Sequence, residues 1–275
     1  MAQQIPLDDA AAEDAAREGP LHIAAADIAW RRLAIVNVVL LGPPDAGDRG
    51  WVLVDAGLRG TIGLVKSAAA ERFGAGARPA AIVVTHAHFD HAGGLPSLID
   101  HFDADAYAHP LEMPHLDGSR AYPPPSAHGG GLLGWLSPLF PRNAIDVSSR
   151  LRALPEDGSV PGAPGWRWIH TPGHTEGHVS LWRETDRALI AGDAVIATAQ
   201  ESAYAVALQE PELHGPPTYF TPDWDAARAS VERLAALRPA LVVTGHGPAL
   251  HGPDLASALE LLARDFDGIA RPPGT

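Results

Sequence analysis

Four apolar stretches of this chain each run directly into histidine or aspartate. Residues 80–85 lead into His86-Ala87-His88-Phe89-Asp90-His91, and 166–170 into Thr171-Pro172-Gly173-His174. Residues 187–192 lead into Asp193, and 240–243 into Thr244-Gly245-His246. Short, β-branched apolar runs of this kind read as buried strands. In α/β folds, ligand sites gather beyond the carboxyl ends of strands, where the loops converge. His86 and His88 are two apart, so in extended backbone they point the same way and can share one metal ion. Asp90 and His91 follow as the chain turns into a helix, and they can hold a second. The chain has 14 histidines and no cysteine, so a metal site here must use imidazole and carboxylate. Such a set suits zinc, and also iron or manganese. Two imidazole-ligated dications call for an anion between them, and Asp193 is the natural carboxylate for that place.

The rest of the chain reads as a mixed α/β protein. Residues 33–39 and 51–57 read as two strands of a hairpin with a long connection. Residues 61–73 carry apolar side chains at helical spacing, and 95–102 follows Gly93-Gly94 as another helix. Residues 178–184 form a further strand. A helix is expected over 222–238, with Pro222 in its first turn, Thr221 available to cap it and Pro239 closing it. Pro253 opens a last helix through 266. Residues 107–165 show no sustained period and contain Pro123-Pro124-Pro125 and Gly129-Gly130-Gly131. Their apolar content suggests a packed, lid-like insertion. Residues 1–20 read as a loose leader, so 21–275 is expected to be one domain, with no boundary dividing it into independent parts. The glycine run at 129–131 lacks the strand, helix and Lys-Ser/Thr context of a phosphate loop.

Composition excludes several classes. Net charge is -13, from 33 acidic and 20 basic residues, with Lys66 the one lysine. That balance repels a phosphate backbone, so nucleic acid is not an expected partner. No apolar run is long enough to span a bilayer, and the acidic, Ala-rich start lacks the features of a secretion signal. A cytoplasmic enzyme acting on a small molecule is the expectation; oligomeric state is left open.

The pattern H-x-H-x-D-H, followed in order by His174, Gly192-Asp193 and Gly245-His246, resembles the metallo-β-lactamase superfamily, and within it the glyoxalase II-like binuclear hydrolases. The resemblance covers roughly residues 30–265 and implies a four-layer αββα sandwich. It implies that His86, His88 and His174 hold one metal ion, that Asp90, His91 and His246 hold the other, and that Asp193 bridges them. Asp55, at the end of the 51–57 strand, matches the family's upstream aspartate, which orients a ligand histidine; capping a turn is the plainer role for it. The implied chemistry is hydrolysis by a metal-bridging hydroxide, with Asp90 orienting the water and shuttling a proton. Only 29 residues follow His246, and basic residues are few, which counts against glutathione thioesters. Ile196 stands where the family's quorum-quenching lactonases place a tyrosine. A bridging aspartate without cysteine counts against antibiotic hydrolysis. A small, partly apolar ester, lactone or thioester fits best. Two other activities are built on related folds: a mononuclear iron persulfide dioxygenase, against which the full second ligand set counts, and a nuclease, against which the acidity counts.

The remaining histidines are read more plainly. His178 and His170 are expected to be buried and hydrogen-bonded. His22, His101, His109, His115, His128, His214 and His251 are expected at the surface or in the insertion, where His115 and His128 have the better prospect of meeting substrate.

Overall fold

A computed structural model of the chain describes residues 5–6, 21–122, 145–198 and 212–275. Apart from Ile5–Pro6, the expected leader lies outside the described residues, as do the central part of the expected insertion and His128. The chain divides into two compact units. One comprises Gly19–Pro123 and Pro141–Trp168, the other Ile169–Thr275 with the first residues of the chain, in each case as far as they are described. Among the described residues, no helix is long and apolar enough to cross a membrane.

The first unit is built on a seven-stranded sheet in simple sequence order. Its strands are β2 (His22–Ala25), β3 (Ile28–Leu33), β4 (Val36–Leu41), β5 (Val52–Val54), β6 (Ala81–Val83), β7 (Ala106–Ala108) and β8 (Leu151–Ala153). The strands from β2 to β5 pair antiparallel, and those from β5 to β8 pair parallel. The expected strand at 33–39 is in fact the end of β3, a tight turn and the start of β4. The turn is made at Ala34, whose φ of 61° gives no signal in sequence. The helices are α1 (Ile62–Phe73), α2 (Phe89–Ala92), α3 (Leu95–Phe102) and α4 (Met113–Leu116). Val65 and Phe73 of α1 and Leu98 and Phe102 of α3 share one core with Val38 and Leu53 of the sheet. Trp51 lies at its centre, stacked on Phe73 at 4.5 Å and edge-on to Phe102 at 5.6 Å. Each such aromatic pair contributes ~0.5–1.5 kcal/mol beyond area burial. Two parts of the expected insertion, β7 and β8, are strands of this sheet. At three residues each they are too short to show a period.

The second unit holds a five-stranded sheet in the order β14-β13-β11-β10-β9. These are β9 (Trp166–His170), β10 (Val179–Arg183), β11 (Ala188–Gly192), β13 (Leu241–Thr244) and β14 (Leu250–His251). Two short strands, β1 (Ile5–Pro6) and β12 (Glu212–Leu213), pair with each other. Helices α5 (Trp224–Ala236), α6 (Leu255–Arg264) and α7 (Phe266–Ile269) pack a second core onto the sheet, joining Val231, Leu234, Leu259 and Phe266 to Leu189 and Val242. Asp223 caps α5, its Oδ1 accepting from the Ala226 N–H at 2.9 Å. Pro222 therefore precedes the cap, and Thr221, expected there, turns its hydroxyl elsewhere.

Candidate metal centre

In the first unit, parallel pairing gathers the candidate residues. β5 and β6 run side by side with Val54 opposite Val83, so Asp55 and Thr85-His86 emerge together from one sheet edge. Asp55 takes φ 62°, a left-handed conformation that an aspartate tolerates better than most residues. Its carboxylate accepts from the Thr85 N–H (Oδ1, 2.8 Å), from the Thr85 hydroxyl (Oδ2, 2.9 Å) and from His91 Nδ1 (Oδ2, 2.8 Å). The Thr85 hydroxyl gives its proton to Asp55, so its oxygen accepts from His86 Nδ1 at 3.1 Å. These partners place a proton on Nδ1 of both imidazoles, so that in the neutral ring the lone pair lies on Nε2. The His86 ring lies 4.7 Å from that of His88 and 4.1 Å from that of His91. Asp90 Oδ2 stands 3.9 Å from His91 Nε2. All four candidate ligands here are buried.

The second unit repeats the device. β11 and β13 are parallel, with Gly192 opposite Thr244, so Asp193 and His246 leave the sheet side by side. His174 lies on the loop that leaves β9 and returns into the neighbouring β10. Gly173 has φ 131°, and a Cβ there would stand 2.3 Å from the Ala227 backbone nitrogen, so only glycine allows this loop to lie against α5. Gly247, after His246, is equally constrained: φ is 95° and a Cβ would meet the Ala197 carbonyl carbon at 2.5 Å. The Thr221 hydroxyl donates to the Pro217 carbonyl at 2.7 Å and so accepts from His174 Nδ1 at 3.3 Å, again leaving the lone pair on Nε2. A single oxygen, Asp193 Oδ2, faces His246 Nε2 at 3.1 Å and His174 Nε2 at 3.4 Å.

Both units therefore aim an imidazole lone pair at a carboxylate oxygen: His91 at Asp90, and His174 at Asp193. Two acceptors face to face in a buried place repel each other unless a cation lies between them. The residues present thus fit a metal ion.

Residues 31–246 match the metallo-beta-lactamase superfamily. The chain is also 44% identical over 254 residues to the probable metallo-hydrolase YflN of Bacillus subtilis, covering 92% of this chain and 96% of that one. The chain belongs to the metallo-beta-lactamase superfamily. A second relative, the acyl-coenzyme A thioesterase MBLAC2 of Bos taurus, is 32% identical over 142 residues, which covers 48% of this chain and 47% of that protein. Among solved structures, the Rm3 metallo-beta-lactamase superposes with a TM-score of 0.62 over 96% of this chain and 98% of that one, at 18% identity. The superfamily fold, a mixed α/β arrangement with two sheets and flanking helices, is that of this chain.

Several superfamily positions have partners that sequence reasoning overlooked. Thr85 and Thr221 set the tautomers of His86 and His174, yet a threonine ending a strand or preceding a helix carries no distinctive signal. Glu112, buried in the first unit, accepts from the Ala87 N–H at 2.9 Å, between His86 and His88, and from the Tyr122 hydroxyl. Tyr122 lies 4.5 Å from the His88 ring and stacks on His115 at 3.8 Å. His115, expected in the insertion, is buried; His214, expected at the surface, is buried as well, its Nε2 meeting Glu212 at 3.3 Å. His178 is buried and hydrogen-bonded, as expected, while His170 is only half-buried, with Nε2 on the Glu176 carbonyl at 2.8 Å.

Proposed function

We propose that this chain is a metal-dependent hydrolase that holds two divalent ions, zinc the expected species, and cleaves a small ester, lactone or thioester. The observation that carries the proposal is the pair of buried lone-pair-to-carboxylate contacts at His91–Asp90 and His174–Asp193. With the Nδ1 proton held by Asp55 in His91 and by Thr221 in His174, Nε2 is the nitrogen that an ion would take. By the superfamily resemblance, His86, His88 and His174 would hold one ion, Asp90, His91 and His246 the other, and Asp193 would serve both. The single Asp193 oxygen facing two imidazoles supports the shared role.

Two dications so held would supply an acidified water near neutral pH and an electrophile for the substrate's carbonyl oxygen. The chain's own residues do the rest. Asp55 fixes the ring of His91, Thr85 that of His86 and Thr221 that of His174, so each ligand nitrogen is aimed before substrate arrives. Asp90 would accept a proton from the attacking water and return it to the leaving group. The acyl thioesterase among the relatives supports an acyl substrate, and the net charge of -13 supports a small molecule over nucleic acid.

The test is a panel of aryl esters, lactones and acyl thioesters, assayed on protein as purified, after chelation and after zinc is restored. Hydrolysis of at least one class should be lost on chelation and regained with zinc. Turnover that survives complete removal of metal would contradict the proposal.

A further inference from the structure

His178 stands four residues after His174, is fully buried, and is not among the proposed ligands. Its surroundings form a chain of hydrogen bonds with only one consistent direction. The Asp193 backbone N–H donates to His178 Nε2 at 2.9 Å. His178 Nδ1 lies 2.9 Å from Thr171 Oγ1, which lies 3.0 Å from Ser180 Oγ, and Ser180 donates to the Ala191 carbonyl at 2.9 Å. An amide N–H can only donate and a carbonyl can only accept, so both ends are fixed. His178 is therefore neutral with its proton on Nδ1, Thr171 accepts from it, and Thr171 donates to Ser180. The relay ties together the end of β9, the start of β10 and the end of β11. A further bond, from the Thr171 N–H to the His178 carbonyl at 2.9 Å, closes the base of the loop that carries His174.

We infer that His178 is a positioning residue: by accepting the Asp193 N–H it sets the backbone from which that carboxylate reaches His174 and His246. This rests on the proposed two-metal reading. An acceptor is needed here because Asp193 follows the last residue of β11, where the parallel ladder shifts register between Ile190 and Gly192. A side-chain nitrogen takes the amide instead. His178→Phe keeps the volume and removes the acceptor. His178→Gln keeps an oxygen able to accept the amide and a nitrogen able to donate to Thr171.

The experiment measures zinc affinity by competition with a chromogenic chelator, on the parent chain, on His178→Phe, His178→Gln and Asp193→Asn, and on the Phe/Asn double variant. The thermal midpoint of each metal-free protein is read alongside. His178→Phe is expected to weaken zinc binding by about 10–100-fold, and His178→Gln to recover most of it. The double variant should bind like Asp193→Asn alone, because the one residue acts through the other. Should His178→Phe fail to fold, Thr171→Val breaks the relay while leaving His178 in place, and it should weaken zinc in the same direction. Unchanged affinity in the His178 variants, or losses that simply multiply in the double variant, would overturn the inference while leaving the two-metal reading intact. A parent chain that holds no zinc would overturn both.

Discussion

Asp55 holds φ 62° and hydrogen-bonds Thr85 and His91 with the same carboxylate. Left-handed backbone at a non-glycine residue costs on the order of 1–3 kcal/mol, so the surrounding bonds must exceed that. Asp55→Ala strands a buried His91 Nδ1–H and the Thr85 donors, and should cost ~1–3 kcal/mol of metal-free stability, read by urea unfolding. Asp55→Asn keeps the shape but offers only one good acceptor to these donors. It should lose less stability than Asp55→Ala, yet weaken zinc binding by about 10–100-fold. If Asp55→Asn bound zinc like the parent, the aspartate would serve only the turn.

At the scale of elements, the same construction occurs twice: two parallel neighbouring strands deliver their final residues to one sheet edge. That is why strand ends rich in histidine and aspartate were so informative in the sequence. Long apolar runs and uninterrupted helical periods were legible, as at 166–170 and 95–102, where the expected bounds match β9 and α3. What was not legible depends on partners distant along the chain. The three-residue strands β7 and β8 exist through pairing with each other and with β6, and His115 is buried because Tyr122 stacks on it. Thr221 resembled a cap, but Asp223 takes that role; Asp223→Ala should cost about 1 kcal/mol, seen as a lower urea midpoint with an unchanged slope. Gly173→Ala forces a side chain into the Ala227 backbone at an unfavourable φ. It should cost stability on the order of 1–3 kcal/mol and displace His174, so that zinc retention falls with it. Full zinc retention in that variant would show that the loop yields without moving its ligand.

Across the whole molecule, acidity governs the response to pH. Arg78 hydrogen-bonds Asp48 and holds its carboxyl well below the usual carboxylate range; hydrogen bonds from Arg183 lower that of Asp186, and those from Ser119, Ser148 and Ser159 lower those of Asp117, Asp146 and Asp157. A carboxylate whose folded pKa is depressed contributes stability that is complete above its unfolded value, about 3.9, and is lost as pH falls through the lowered folded value. Metal-free protein should therefore lose stability as pH falls below about 4; a thermal midpoint unchanged between about pH 5 and pH 3 would contradict this. With metal bound, loss should begin at a higher pH, because the ligand imidazoles hold an ion only when deprotonated and protons therefore compete with the ions. The measurement closest to the central claim is therefore elemental analysis of the chain, purified without added metal or chelator. About two divalent ions per chain, zinc foremost, with Asp193→Asn reduced to one or fewer, is the result expected. One iron per chain, or no tightly bound metal at all, would contradict it.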